Sequence, residues 1–134
     1  MNPPRGTLSE LDPFDLPEWL GEGEVTWDSE RGLRTGHLVA GILSGGPGQE
    51  SPCDLLAVDQ AFPAPVADDA VRTRAHQVWR HGQVLLVSRD ERATLAVPGS
   101  EFTAELVLEA LTRLARSVGA EPARFSLRLR LSAD

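Results

Sequence analysis

The stretch CDLLAVDQAF, residues 53–62, has the two-residue period of a β-strand. Its alternation predicts two faces, one with Cys53, Leu55, Ala57 and Asp59 and the other with Leu56, Val58 and Gln60. Two earlier segments, 25–27 and 36–43, show the same period, and turn-rich sequence separates the three. Three consecutive strands joined by turns predict an antiparallel meander.

Helical periodicity begins after this meander. Asp68 is a favourable N-cap, and Gly82 ends a pattern whose apolar positions are Val71, Ala75, Val78 and Trp79. A second helix is predicted at residues 101–118, with Ser100 as its N-cap and Gly119 at its end.

Further strands surround the second helix. Residues 83–97 predict a hairpin around the polar turn SRDER, and RFSLRLRL at 124–131 predicts a last strand at a sheet edge with outward arginines. The predicted fold is therefore α+β: a single antiparallel sheet of five to six strands in the order β-β-β-α-β-β-α-β, with both helices on one face.

Charge divides the chain into an acidic arm, residues 1–23, and a single α+β domain, residues 24–134. Residues 1–30 hold eight carboxylates and one arginine, whereas the remaining 104 residues hold twelve of each sign. The formal net charge of −7 therefore belongs to the first quarter of the chain. Residues 110–132 hold five arginines and one glutamate, and we expect the arm to pack near this basic region with Trp19 as its main anchor.

Composition restricts the chemistry. All 13 basic residues are arginine, so lysine-dependent mechanisms are excluded, and tyrosine is absent. The single cysteine, Cys53, permits neither an intramolecular disulfide nor a multi-cysteine metal cage, and histidine spacing predicts no metal site and no cofactor. We expect a cytoplasmic protein that binds neither nucleic acid nor membrane, because the chain is acidic and has no long apolar run.

Two function classes remain open. The first is a non-catalytic adaptor or chaperone-like module that binds a protein partner. Its candidate residues are Phe14, Trp19 and Leu20 of the arm and Arg124, Arg128 and Arg130 of the last strand. The second is a small-ligand-binding or catalytic domain with a cleft near His76, Trp79 and His81. The residues favour the non-catalytic class, and we expect a monomer or weak homodimer.

The element order and the composition of the chain each resemble those of a known group of proteins. The alternation of sheet blocks and helices in a small acidic chain resembles secretion-chaperone-like folds, which implies binding to segments of other polypeptides. The arginine-only basic composition and the opening DPFDLPEWLG, residues 12–21, are similar to small proteins of high-G+C, actinobacterial-type bacteria. The second resemblance implies no activity.

Overall fold

The segment 49–57 forms the central strand of the sheet. A computed structural model describes residues 8–29, 37–59, 67–100 and 102–128. Residues 30–32 of the turn predicted at SERG, 29–32, lie outside these ranges, as do Gln60 and Arg130. The strands are β1 (Ser9–Glu10), β2 (Val25–Ser29), β3 (Leu38–Val39), β4 (Gly41–Gly46), β5 (Gln49–Ala57), β6 (Leu85–Arg89), β7 (Arg92–Val97) and β8 (Phe125–Arg128), and the helices are α1 (Asp69–Arg80) and α2 (Ala104–Ser117).

The sheet is mixed, so the predicted single antiparallel sheet of five to six strands is wrong. In the described part of the chain, eight strands form the order β1-β6-β7-β5-β4-β2-β8, and β3 pairs with β5. The pairs β5–β7 and β2–β8 are parallel. Parallel pairing needs a long crossover between the two strands, and here α1 lies between β5 and β7 in the chain while α2 lies between β2 and β8.

The predicted strand 36–43 is interrupted at Ala40. On both sides of the interruption the chain keeps one antiparallel register against β5, with Leu38 opposite Leu56 and Leu43 opposite Ser51. At the interruption the Asp54 carboxylate accepts a hydrogen bond from the Gly41 N–H at 3.2 Å. A side chain therefore supplies an acceptor where the backbone ladder is broken.

The two helices cover opposite faces of the sheet, which corrects the prediction that both lie on one face. Alternate residues of β5, β6 and β7 belong to two separate apolar clusters, and successive strand residues point to opposite faces. One cluster includes Leu55 and Leu95 with buried residues of α2, and the other includes Leu56 and Ala96 with Ala75 of α1.

Local signals placed most element ends correctly. Asp68 caps α1 through a 2.9 Å bond from the Val71 N–H, as predicted. The N-cap of α2 is Thr103, not Ser100, and its hydroxyl accepts from the Leu106 N–H. The predicted edge position of the last strand is confirmed for the described residues, because β8 ends the strand order and buries Phe125 while Arg128 is exposed.

Candidate functional site

Phe14 is displayed on the surface by a fixed turn of the acidic arm. Among the described residues it is the most exposed large apolar side chain, at 93%, and Leu108 follows at 45%. A short 3-10 helix at Pro13–Asp15 carries it. The Asp12 side chain accepts from the Phe14 N–H at 2.9 Å, and the Asp15 N–H bonds the Asp12 carbonyl at 2.8 Å.

The arm is attached to the domain on both sides of this turn. Before it, β1 pairs with β6 and the Leu11 N–H bonds the Leu86 carbonyl at 2.9 Å. After it, Leu20 is fully buried in the core, and Trp19 is half-buried against Gly45. Leu20, rather than Trp19, is thus the fully buried anchor of the arm, and Phe14 is outside the core.

The surroundings of Phe14 are acidic. The exposed residues on either side of it in the chain include Asp12, Asp15 and Glu18, all within the described part of the arm. A phenyl ring flanked by carboxylates presents an apolar group inside a negative field. Such a surface favours a complementary apolar pocket with basic residues around it.

Two of the three arginines predicted for partner binding contact the same chain. Arg124 donates to the Glu22 carbonyl at 3.4 Å. The exposed Arg128 lies 3.6 Å from the half-buried Asp28 carboxylate. Arg130 lies outside the described residues.

His76 lines a cleft of about 440 Å³, whereas Trp79 and His81, the other two residues of the predicted cleft, are not among the residues that line it. Its Nε2 lies 2.9 Å from Asp59 Oδ1, and Asp59 Oδ2 accepts from the Gly99 N–H at 2.9 Å. Partial burial opposes ionisation of Asp59, but the hydrogen bonds from His76 and Gly99 and the charges of His76 and Arg72 hold its pKa below the ordinary 3.8.

Trp79 and His81 both lie at the end of α1, where Trp79 contacts α2 and His81 is the C-cap residue. The Arg113 guanidinium stacks 3.5 Å from the centroid of the Trp79 ring, and it donates to the carbonyls of Trp79 at 2.7 Å and Gln83 at 3.0 Å. This contact ties the end of α1 to α2, because the Arg113 guanidinium bonds one carbonyl in the last turn of α1 and one just after it. His81 is the exposed C-cap residue of α1. The Arg113 side chain is only 13% exposed.

Cys53 lies in the core and is not poised for nucleophilic chemistry. Its side chain is fully buried, and burial, together with the charge of Asp54, raises the pKa of the thiol to about 12. The thiolate that such chemistry requires is therefore scarce at neutral pH. Within the described ranges, no three residues of the His, Cys, Asp and Glu types are grouped as metal ligands.

An ion pair between β5 and β7, with a buried carboxylate, was not predicted from the sequence. Arg92 donates to both carboxylate oxygens of Asp54, at 2.9 and 2.8 Å, and also to the Gly41 carbonyl at 3.2 Å. The signal available was a carboxylate inside an apolar strand, because such a group needs a partner when buried. Only the β5–β7 pairing identifies that partner.

Comparison of the chain with models of known protein families, with curated proteins and with solved structures found no match. The resemblances to secretion-chaperone-like folds and to small proteins of high-G+C bacteria therefore stay predictions. In the described part of the chain, no helix has both the length and the apolar character needed to cross a membrane.

Proposed function

We propose that this protein is a non-catalytic protein-binding module whose main contact residue is Phe14. The observation that carries this proposal is a 93% exposed phenylalanine on a turn that is held at both ends. Single exposed apolar residues are common on protein surfaces, so exposure alone is weak support. The fixed turn adds weight, because the backbone around Phe14 is already ordered before any partner binds.

The chemistry of the turn indicates the kind of partner. Burying a phenylalanine side chain contributes about 1.5–3 kcal/mol, and aromatic anchors dominate many interfaces. The carboxylates of Asp12, Asp15 and Glu18 favour a pocket with arginine or lysine at its rim. We therefore expect a protein partner with a small apolar pocket in a basic surface.

Site-specific crosslinking tests the proposal. A photoreactive benzoyl-phenylalanine at position 14 should form one discrete protein adduct in the native cells, because its side chain would enter the partner pocket. The same residue at position 108 is the matched control, since Leu108 is the next most exposed large apolar side chain on the described surface. An adduct at position 14 but not at 108 supports the proposal.

A second variant distinguishes binding from stability. Unlabelled wild-type protein, added in excess, should suppress the adduct by occupying the partner, whereas the Phe14→Ala variant should not. The variant should nevertheless keep the wild-type unfolding midpoint, because the Phe14 side chain makes little contact with the core. If positions 14 and 108 give the same adducts, or if Phe14→Ala competes as well as the wild type, the proposal is wrong.

A further inference from the structure

The cleft beside His76 lies at the carboxyl ends of two parallel strands. Asp59 follows β5 and Gly99 follows β7, and the Asp59 N–H bonds the Gly99 carbonyl at 2.9 Å while Gly99 donates back to the Asp59 side chain. His76 joins this pair from α1. Ligands of parallel sheets commonly bind outside the carboxyl ends of strands, where helix and loop groups converge.

Each residue that lines this cleft has a polar or charged side chain. Its residues are Asp59, Arg72, Thr73, His76, Gln77 and Arg80. Both oxygens of Asp59 already accept a hydrogen bond, one from His76 and one from Gly99. The other lining side chains contribute guanidinium, amide and hydroxyl donors. The cleft therefore offers more hydrogen-bond donors than acceptors, and this excess suits a ligand rich in acceptor oxygens.

The basic side chains of the cleft follow one line along α1. Arg72, His76 and Arg80 are four residues apart, which places them about 6 Å from one another along the helix axis. Arg72 also bonds Asp69, and the exposed Arg80 ends the helix. A tetrahedral phosphate presents several oxygens to separate donors, whereas one carboxylate is satisfied by a single guanidinium.

We infer that this cleft binds the phosphate group of a small phosphate ester, with His76 and Arg80 as its principal contacts. Asp59, fixed by Gly99, accepts from His76 Nε2, so the contact of His76 with the phosphate uses Nδ1–H of the imidazolium form. The inference is independent of the proposed function, because Phe14 is not among the residues that line the cleft.

Titration of the full chain with inorganic phosphate, followed by ¹H–¹⁵N NMR, tests the inference. Shift changes should saturate at millimolar phosphate and be confined to residues 72–80, Asp59 and Gly99. His76→Gln and Arg80→Gln should each weaken binding at least about fivefold. Arg116→Gln is the matched control, because Arg116 is an exposed arginine in the last turn of α2 and does not line the cleft.

Two results would overturn the inference. The first is a shift pattern that does not saturate, or that Arg116→Gln alters as much as Arg80→Gln does, because either would mean general attraction of anions to surface charge. The second is acetate binding as tightly as phosphate at equal ionic strength, because the cleft would then not select a phosphate group.

Discussion

Replacing Arg92 with methionine should destabilise the domain strongly, because it leaves a buried charge without its partner. The Asp54 residue is 2% exposed, and Arg92 donates to both of its carboxylate oxygens. Arg92→Met removes those donors but retains much of the side-chain volume. The remaining described hydrogen bond to the carboxylate is the 3.2 Å bond from the Gly41 N–H.

The expected cost follows from the burial of the pair. Breaking a buried ion pair costs about 3–5 kcal/mol, whereas an exposed pair contributes about 0–1 kcal/mol. Since the Arg92 side chain is 32% exposed, water can partly solvate the site, and we expect a loss of about 3 kcal/mol. With a urea m value of about 1.5 kcal/mol per molar, the unfolding midpoint should fall by about 2 M.

Urea unfolding monitored by tryptophan fluorescence measures this cost. The double variant Asp54→Asn/Arg92→Met should recover about 1–2 kcal/mol relative to Arg92→Met, because the unpaired charge is gone and the amide oxygen can still accept from Gly41. Arg89→Met is the matched control, since Arg89 lies opposite Arg92 in the hairpin and makes only a 3.6 Å pair with the exposed Asp90. A loss below about 1 kcal/mol for Arg92→Met, or a loss equal to that of Arg89→Met, would refute the reasoning.

Three further predictions concern stability, each measured as a free energy of unfolding. Gly41→Ala should destabilise by at least about 1–3 kcal/mol, because the added Cβ would lie 2.3 Å from the Trp27 ring, whereas Gly23→Ala, with no atom within 4 Å, should be nearly neutral. Glu91→Gly should stabilise by about 0.5–1 kcal/mol, because position 91 has φ +65° in the hairpin turn, and a decrease would contradict this. The destabilisation caused by Asp59→Asn should be full above pH 3.8 and shrink as the pH falls through the lowered folded-state pKa, and a pH-independent difference would be inconsistent with that shift.

The predicted elements were largely correct because their signals are local. The cap at Asp68, the terminal glycines of both helices and the hairpin around SRDER depend on backbone conformation within a few residues. Gly82 and Gly119 both have positive φ, as their predicted helix-ending positions require. Such preferences act before any long-range contact forms.

The sheet type was wrong because strand pairing is not a local property. Strands that are neighbours in the sequence were expected to pair with each other, but β7 also pairs with β5, from which α1 and β6 separate it in the chain. The stretch 53–58 contained a sign of this arrangement: Leu55, Leu56, Ala57 and Val58 are all apolar. A strand with both faces apolar is typical of a sheet covered on both sides.

For the candidate sites, the sequence supplied the residue types and the tertiary structure supplied their exposure. Phe14, Trp19 and Leu20 are alike in sequence as apolar residues among carboxylates, yet one is exposed, one half-buried and one fully buried. The burial of each residue depends on where the arm packs against β6 and the core, and the periodicity of the sequence does not predict that position.

By itself, the amino-acid sequence determined the acidic arm, the exclusion of lysine and disulfide chemistry, and nearly all helix and hairpin positions. Composition is fixed by the chain, and local conformation follows from caps, turns and apolar period. Only the tertiary structure decided the mixed sheet, the Asp54–Arg92 pair and the junction of Asp59, His76 and Gly99. The side-chain contacts join residues 17 to 40 positions apart, and the parallel pair β2–β8 joins residues 100 positions apart. Contacts at such separations form only when the strand order of the whole sheet is established.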